Sequence, residues 1–185
     1  MINNEIFELV KSCNAKLINH DSKHFEFKSL CHDTRNINEN TIFIALRGNN
    51  YDGHDFLKEA FRKGAVGAIV SNKYDGNFCN LIKVPDTLKA LQIIGINNRS
   101  NWKGISVGIT GSAGKTTVKE LCSCILSTKF STHKNTGNFN NHIGLPLTLI
   151  ELNKYHHYLI AEIGMNKPGE IETLTKWLQP DISII

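Results

Sequence analysis

Between an apolar run, Ile105 to Thr110, and an amphipathic run that begins near Lys115, the chain reads Gly111-Ser112-Ala113-Gly114-Lys115-Thr116-Thr117. Glycines at both ends of this turn let the main chain curl until its N–H groups converge on an anion. The helix that follows adds its positive end. Lys115 can reach the β- and γ-phosphates of ATP, and Thr116 offers a hydroxyl to Mg2+. The spacing departs from the general phosphate loop, whose first glycine stands five residues before Gly114, where this chain has Ile109. The loop is a tighter variant that starts at Gly111. An ordinary glycine turn with a solvated lysine is the competing reading. An apolar strand before Gly-Lys-Thr-Thr and an amphipathic helix after it argue against that.

Two further segments carry polar groups suited to the same chemistry. Leu159-Ile160-Ala161-Glu162 is an apolar strand with a carboxylate at its C-terminal end, where open parallel sheets bind ligands. If that strand lies beside the loop strand, Glu162 sits near the phosphates and can hold Mg2+. If not, it is a glutamate at a strand end. The run Asn135-Thr136-Gly137-Asn138-Phe139-Asn140-Asn141-His142-Ile143-Gly144 collects amides and glycine before an expected helix. Amides can donate to phosphate or carboxylate without adding charge, although a surface turn has the same composition.

The elements that must position these groups follow from periodicity. Ile6, Leu9, Val10 and Cys13 recur at helical spacing, predicting a first helix. Strands are expected at Thr41 to Leu46, Ala65 to Val70 and Leu81 to Val84, with a helix at Phe56 to Lys63 that Gly64 stops. Another helix opens at Pro85-Asp86, with Asp86 as its N-cap. The polar stretch Asn97 to Gly104 places a domain boundary, giving domains 1–100 and 104–185. Beyond it, Val118, Leu121, Cys122, Ile125 and Leu126 are expected to mark the buried face of the loop helix. A helix from about Ile143, a strand at Tyr158 to Ile163 and a helix at about Gly169 to Leu178 follow. Asp181 to Ile185 reads as a strand entering a sheet. The second domain then has few strands for a parallel sheet, and the expectation is a domain that continues past Ile185.

Composition bounds the function classes. Hydrophobic residues make up 41% and charged residues 21%, the balance of a folded chain with a packed core. Net charge is +4 with the basic residues scattered, which argues against a nucleic-acid partner and suits nucleotides and anionic sugars. No apolar run approaches the roughly 18 residues that cross a bilayer, and no basic-then-apolar leader is seen. The expectation is a cytoplasmic protein with no membrane insertion. Five cysteines include no CxxC pair, so reduced, mostly buried thiols are expected. Cys122 and Cys124 should face different ways on their helix.

Taken together, Thr110 to Thr117 resembles the ATP loop of the Mur ligases, whose first glycine has this shortened position. Gly137-Asn138-Phe139-Asn140-Asn141 with Ile143 to Leu149, and Ala161-Glu162-Ile163-Gly164-Met165-Asn166 with Gly169-Glu170-Ile171, are similar to segments of the same family. So are Asp33-Thr34-Arg35, Ile42 to Gly48 and Asp52-Gly53-His54-Asp55-Phe56, which resemble its UDP-sugar-binding domain. The resemblance runs from about Cys31 to Ile185. It implies an α/β chain, with a small N-terminal UDP-substrate domain followed by the incomplete start of a P-loop parallel-sheet ATPase domain.

The resemblance also implies an activity: ATP-dependent addition of D-alanyl-D-alanine to UDP-N-acetylmuramoyl-tripeptide through an acyl phosphate, by a monomer. In it Gly111 to Thr117 bind ATP, Lys115 and Glu162 are catalytic, and Thr116 and Glu162 hold Mg2+. Asn138, Asn140 and Asn141 lie near phosphate or substrate, while Thr34 and Arg35 contact the uridine diphosphate. For Asp33-Thr34-Arg35 a capping turn with an ion pair is the alternative. A second metal site falls beyond Ile185, matched by none of His142, His156 or His157, so the 185 residues alone are expected not to turn over. The competing readings are the family member that adds the third stem-peptide residue and a non-catalytic nucleotide or UDP-sugar binding module.

Overall fold

Unbroken apolar runs build the centres of two sheets in the computed structural model, which describes residues 13–18, 27, 29–48 and 50–185. Ile6, Leu9 and Val10 of the expected first helix lie outside the described residues. The chain divides into two units, one up to Ile93 and one from Ile94.

In the first unit the strands are β1 (Lys16–Ile18), β2 (Ser29–Cys31), β3 (Thr41–Ile44), β4 (Ala65–Ser71) and β5 (Leu81–Val84), with helix α1 (Leu57–Arg62) between β3 and β4. Their order is β1-β5-β4-β3-β2. All pairs are parallel except β1 with β5. Every residue of β3 is buried, as expected of a strand covered on both faces. Phe43, Ala68, Val70 and Leu81 pack against Leu57 and Ala60 of α1. Helix α2 (Thr87–Asn101) opens as predicted, with Asp86 Oδ1 accepting the N–H groups of Leu88 and Lys89.

The polar stretch after Ile96 is helical to Asn101, and the two units divide after Ile93 rather than at the expected residues 100–104. Side chains of the last turns explain this. Asn98 Nδ2 donates to the carbonyls of Leu149, Ile150 and Leu152. Arg99 is buried and donates to Leu178 O, Gln179 O and Ser106 Oγ. These bonds belong to the second unit.

That unit contains β6 (Ile105–Ile109), α3 (Lys115–Ser127), β7 (Thr132–Lys134), α4 (Gly144–Ile150), β8 (Tyr158–Glu162), α5 (Glu170–Leu178) and β9 (Ile182–Ile184). The sheet is parallel throughout, in the order β7-β8-β6-β9. Successive side chains of a strand point to opposite faces. Leu159 and Ala161 accordingly pack with Leu145, Leu149, Leu174 and Leu178, while Ile160 joins Val107 and Ile109. The α/β class and parallel sheets are those expected.

The buried face of α3 differs from the expected one. Val118, Cys122 and Leu126 do pack on the sheet. Leu121 and Ile125, however, are 57% and 67% exposed, and the remaining buried positions are Lys119 and Ser123. A stripe read from hydrophobicity alone leans toward Leu121 and Ile125, whereas the packing turns Lys119 and Ser123 inward. The cysteines also depart from expectation. Cys79 and Cys124 are exposed and the other three are only half-buried. Cys122 and Cys124 do face different ways. Among the described residues no helix is long and apolar enough to cross a membrane.

Candidate nucleotide site

Strand β6 ends at Ile109, opposite Glu162 at the end of β8 in the parallel register. The two segments flagged in the sequence therefore emerge side by side at the carboxyl edge of the sheet, the edge that binds ligands in such folds. Gly111 has φ +139° and Gly114 φ +76°, values that side chains with a Cβ adopt only under strain. Gly114 is the N-cap of α3, whose first turn has no acidic residue. The first-turn N–H groups and the positive helix end are thus left unpaired by any acidic side chain of the helix itself. Lys115 folds back so that its Nζ donates to Gly111 O at 2.7 Å, which places the ammonium across the loop.

Glu162 is 4% exposed, yet its two carboxylate oxygens are held separately. Thr116 Oγ1 donates to Oε2 at 2.7 Å and Asn140 Nδ2 donates to Oε1 at 2.9 Å. The Thr116 residue is itself exposed, so this hydroxyl–carboxylate pair opens to solvent on one side. A hydroxyl and a carboxylate oxygen beside an anion cradle form the hard-oxygen donor set that suits Mg2+. The residues present fit the ion that the loop motif implies.

The amides divide into distinct roles. Asn140 is on Glu162. Asn141 Oδ1 accepts the N–H groups of Ile143 and Gly144 and so caps α4, a structural task at a position expected near substrate. Asn138 is exposed, and its carbonyl accepts from Asn140 N–H. Asn135, fully buried, does the most. Its Oδ1 accepts Glu162 N–H, and its Nδ2 donates to Glu162 O and to Phe139 O. Helix α4 approaches this loop so closely that a Cβ on Gly144 would lie 2.2 Å from Phe139 Cα. The Asn135 position was visible as one amide in a run of amides, with nothing to set it apart. Lys119, whose Nζ donates to Asn135 O, gave no signal at all.

In the first unit Asp33 caps a short helical turn, accepting Arg35 N–H, and also grips the Arg35 guanidinium through both oxygens. That side-chain pairing, with the backbone bond, holds the Asp33 carboxyl down to about 2. Thr34 is buried while the Arg35 side chain is 84% exposed. Arg35 is thus a capping-turn partner with its outer face open. Nearby in sequence, Asp52 is buried enough to favour its neutral form. Hydrogen bonds from the side chain and main chain of His54 and from Arg47 outweigh this and bring it to about 2. His54 Nε2 accepts Ser71 N–H, which fixes the ring as the tautomer that donates from Nδ1 to Asp52.

A parallel sheet with a glycine loop on a helix N-terminus, and a hydroxyl–carboxylate pair beside it, define a phosphate-loop nucleotide-binding α/β domain. Residues 109–185 match the family model of the Mur ligase middle domain, and the chain as a whole is similar to ligases of that family. It is 36% identical, over 98% of its length, to the UDP-N-acetylmuramoyl-tripeptide–D-alanyl-D-alanine ligase of Synechocystis sp., of which it covers 40%. It is 40% identical over its full length to the ligase of that name from Buchnera aphidicola subsp. Baizongia pistaciae, of which it covers 41%. The chain thus spans about two fifths of the length of these relatives. Among solved structures, the D-alanyl-D-alanyl ligase of Acinetobacter baumannii aligns with a TM-score of 0.85 and 33% identity, covering 96% of this chain and 40% of that one. The MurF ligase of Thermotoga maritima in complex with ADP aligns with a TM-score of 0.72 and 33% identity, covering 86% and 37%.

Proposed function

We propose that this chain supplies the nucleotide-holding part of a MurF-type ligase, which uses ATP to join D-alanyl-D-alanine to UDP-N-acetylmuramoyl-tripeptide. The observation that carries this reading is the contact of Thr116 Oγ1 with the Glu162 carboxylate at the mouth of the glycine loop. Relatives of that name, and the ADP in a structural neighbour, support it.

In this reading the main-chain N–H groups of Gly111 to Thr117 receive the phosphate oxygens. Lys115 exchanges its bond to Gly111 O for the β- and γ-phosphates, so the ammonium moves only within the loop. Thr116 and Glu162 hold Mg2+, which when bound supplies positive charge against the phosphate oxygens. Asn140 keeps the Glu162 carboxylate oriented without bringing a competing charge. With the triphosphate held in line, the terminal carboxylate of the tripeptide attacks the γ-phosphorus and ADP leaves. The amine of D-alanyl-D-alanine then attacks the acyl phosphate, and inorganic phosphate departs. Thr34 and Arg35 contact the uridine diphosphate, Arg35 turning its fork from Asp33 toward the diphosphate. Asn138 lies near the phosphates. The reading includes action in the cytoplasm as a monomer, on small molecules rather than nucleic acid.

The test is binding of a fluorescent ATP analogue to wild type and to Lys115→Ala, with the fold checked by circular dichroism. Affinity should fall at least tenfold in the variant. Equal affinity in a folded variant removes the phosphate-loop role.

A further inference from the structure

Lys119 is a fully buried lysine on the loop helix, one turn past Lys115, and the phosphate chemistry makes no use of it. Buried ammonium groups are costly unless they are paired. Lys119 has two partners: it donates to the main-chain carbonyl of Asn135 at 2.9 Å and lies 3.3 Å from Glu120 Oε1. Glu120 also receives Lys134, the residue before Asn135. The ammonium thereby ties the middle of α3 to the end of β7.

Asn135 passes that constraint on. Its side chain holds both main-chain groups of Glu162, at 2.9 Å to N and 3.0 Å to O, and a third bond goes to Phe139 O. The Phe139 carbonyl immediately precedes Asn140, whose amide holds the Glu162 carboxylate. From the same helix, Thr116 reaches that carboxylate directly. One carboxylate is therefore fixed from α3 along two routes, one through Thr116 and the other through Lys119 and Asn135. Groups that orient a metal-binding carboxylate typically govern metal affinity about ten- to a hundredfold without touching the metal.

We propose that Lys119 and Asn135 are positioning residues that set the aim of Glu162, and through it the affinity of the site for a divalent cation. This rests on the reading that Thr116 and Glu162 hold Mg2+ with the nucleotide. It adds that a lysine remote from the phosphates determines how much Mg2+ strengthens binding.

The measurement is the ratio of fluorescent ADP-analogue dissociation constants in EDTA and in saturating Mg2+, for the whole chain. Wild type should show tighter binding with Mg2+, and Glu162→Gln should abolish most of that gain. If either fails, the metal reading fails, whatever Lys119 does. Given both, Lys119→Met, which keeps length and removes charge, should reduce the Mg2+ gain about tenfold while Mg2+-free affinity stays within about twofold. Asn135→Asp, which preserves volume and the acceptor for Glu162 N–H but loses both Nδ2 bonds, should do the same, and it decides the matter if Lys119→Met does not fold. A merely structural role would lower the melting temperature and leave the Mg2+ gain intact. A wild-type gain in a folded variant overturns the proposal.

Discussion

Replacing Gly144 by alanine tests whether the amide loop is held by close backbone approach. Alanine is favoured over glycine inside a helix by about 1 kcal/mol, and Gly144 opens α4, so helix propensity alone predicts a gain. The surroundings predict the opposite. An added Cβ would lie 2.2 Å from Phe139 Cα and 2.5 Å from its carbonyl carbon, both main-chain atoms with no rotamer to change. Ordinary contact begins at 3.4 Å, so the loop must retreat by about 1.2 Å. Phe139 is joined to Asn140, and a shift of that size takes the Asn140–Glu162 bond from 2.9 Å past the limit of about 3.5 Å for a hydrogen bond. Overpacking costs about 1–3 kcal/mol, and a lost hydrogen bond to a charged group about 1.5–3 kcal/mol. The net expectation is a loss of about 3 kcal/mol in urea unfolding of the second unit, with weaker Mg2+-dependent nucleotide binding. A variant as stable as wild type, or more so, with its Mg2+ gain intact, would refute the reasoning.

Arg99→Lys should destabilise the second unit by about 2 kcal/mol in urea unfolding. One ammonium cannot reproduce the fork that serves Leu178 O, Gln179 O and Ser106 Oγ, and an unchanged midpoint would show that the fork is dispensable. Burial holds His133 below its ordinary value, although its bond to Thr148 O opposes this, and His156 stacks on it at 4.9 Å. The folded state thus binds fewer protons than the unfolded one, so stability is complete above pH 6.5 and falls as the pH drops through the window below it. Melting at pH 7.5 and at pH 5.5 should show a smaller acid loss in His133→Gln than in wild type, and equal losses would dismiss this histidine as a source.

Much of the second unit was legible because its long apolar segments leave few choices. Ile105 to Thr110 and Leu159 to Glu162 read as strands, and their parallel pairing brings the carboxylate beside the glycine loop, the condition on which the reading of Glu162 depended. The edge strands β1, β2 and β7 were not legible, since three residues with lysine, serine or threonine among them carry too little pattern to stand out, whereas the equally short β9 showed through Ile182 and Ile184. Lys119 was hidden for a different reason. A lysine on a helix reads as solvent-facing, and only the tertiary placement of Asn135 O beneath it reverses that. The stripe through Leu121 and Ile125 failed by the same reasoning. Asn141 shows the converse limit: an amide in a phosphate-like run also serves as a helix cap through its Oδ1, and composition does not announce that task.

Amide NMR of the isotope-labelled chain, titrated with Mg2+ and ATP, tests the central claim most directly. The account predicts that the N–H resonances of Gly111 to Thr117 shift most, with Glu162 responding only when Mg2+ is present. Saturable binding that leaves those resonances in place and moves others would contradict it.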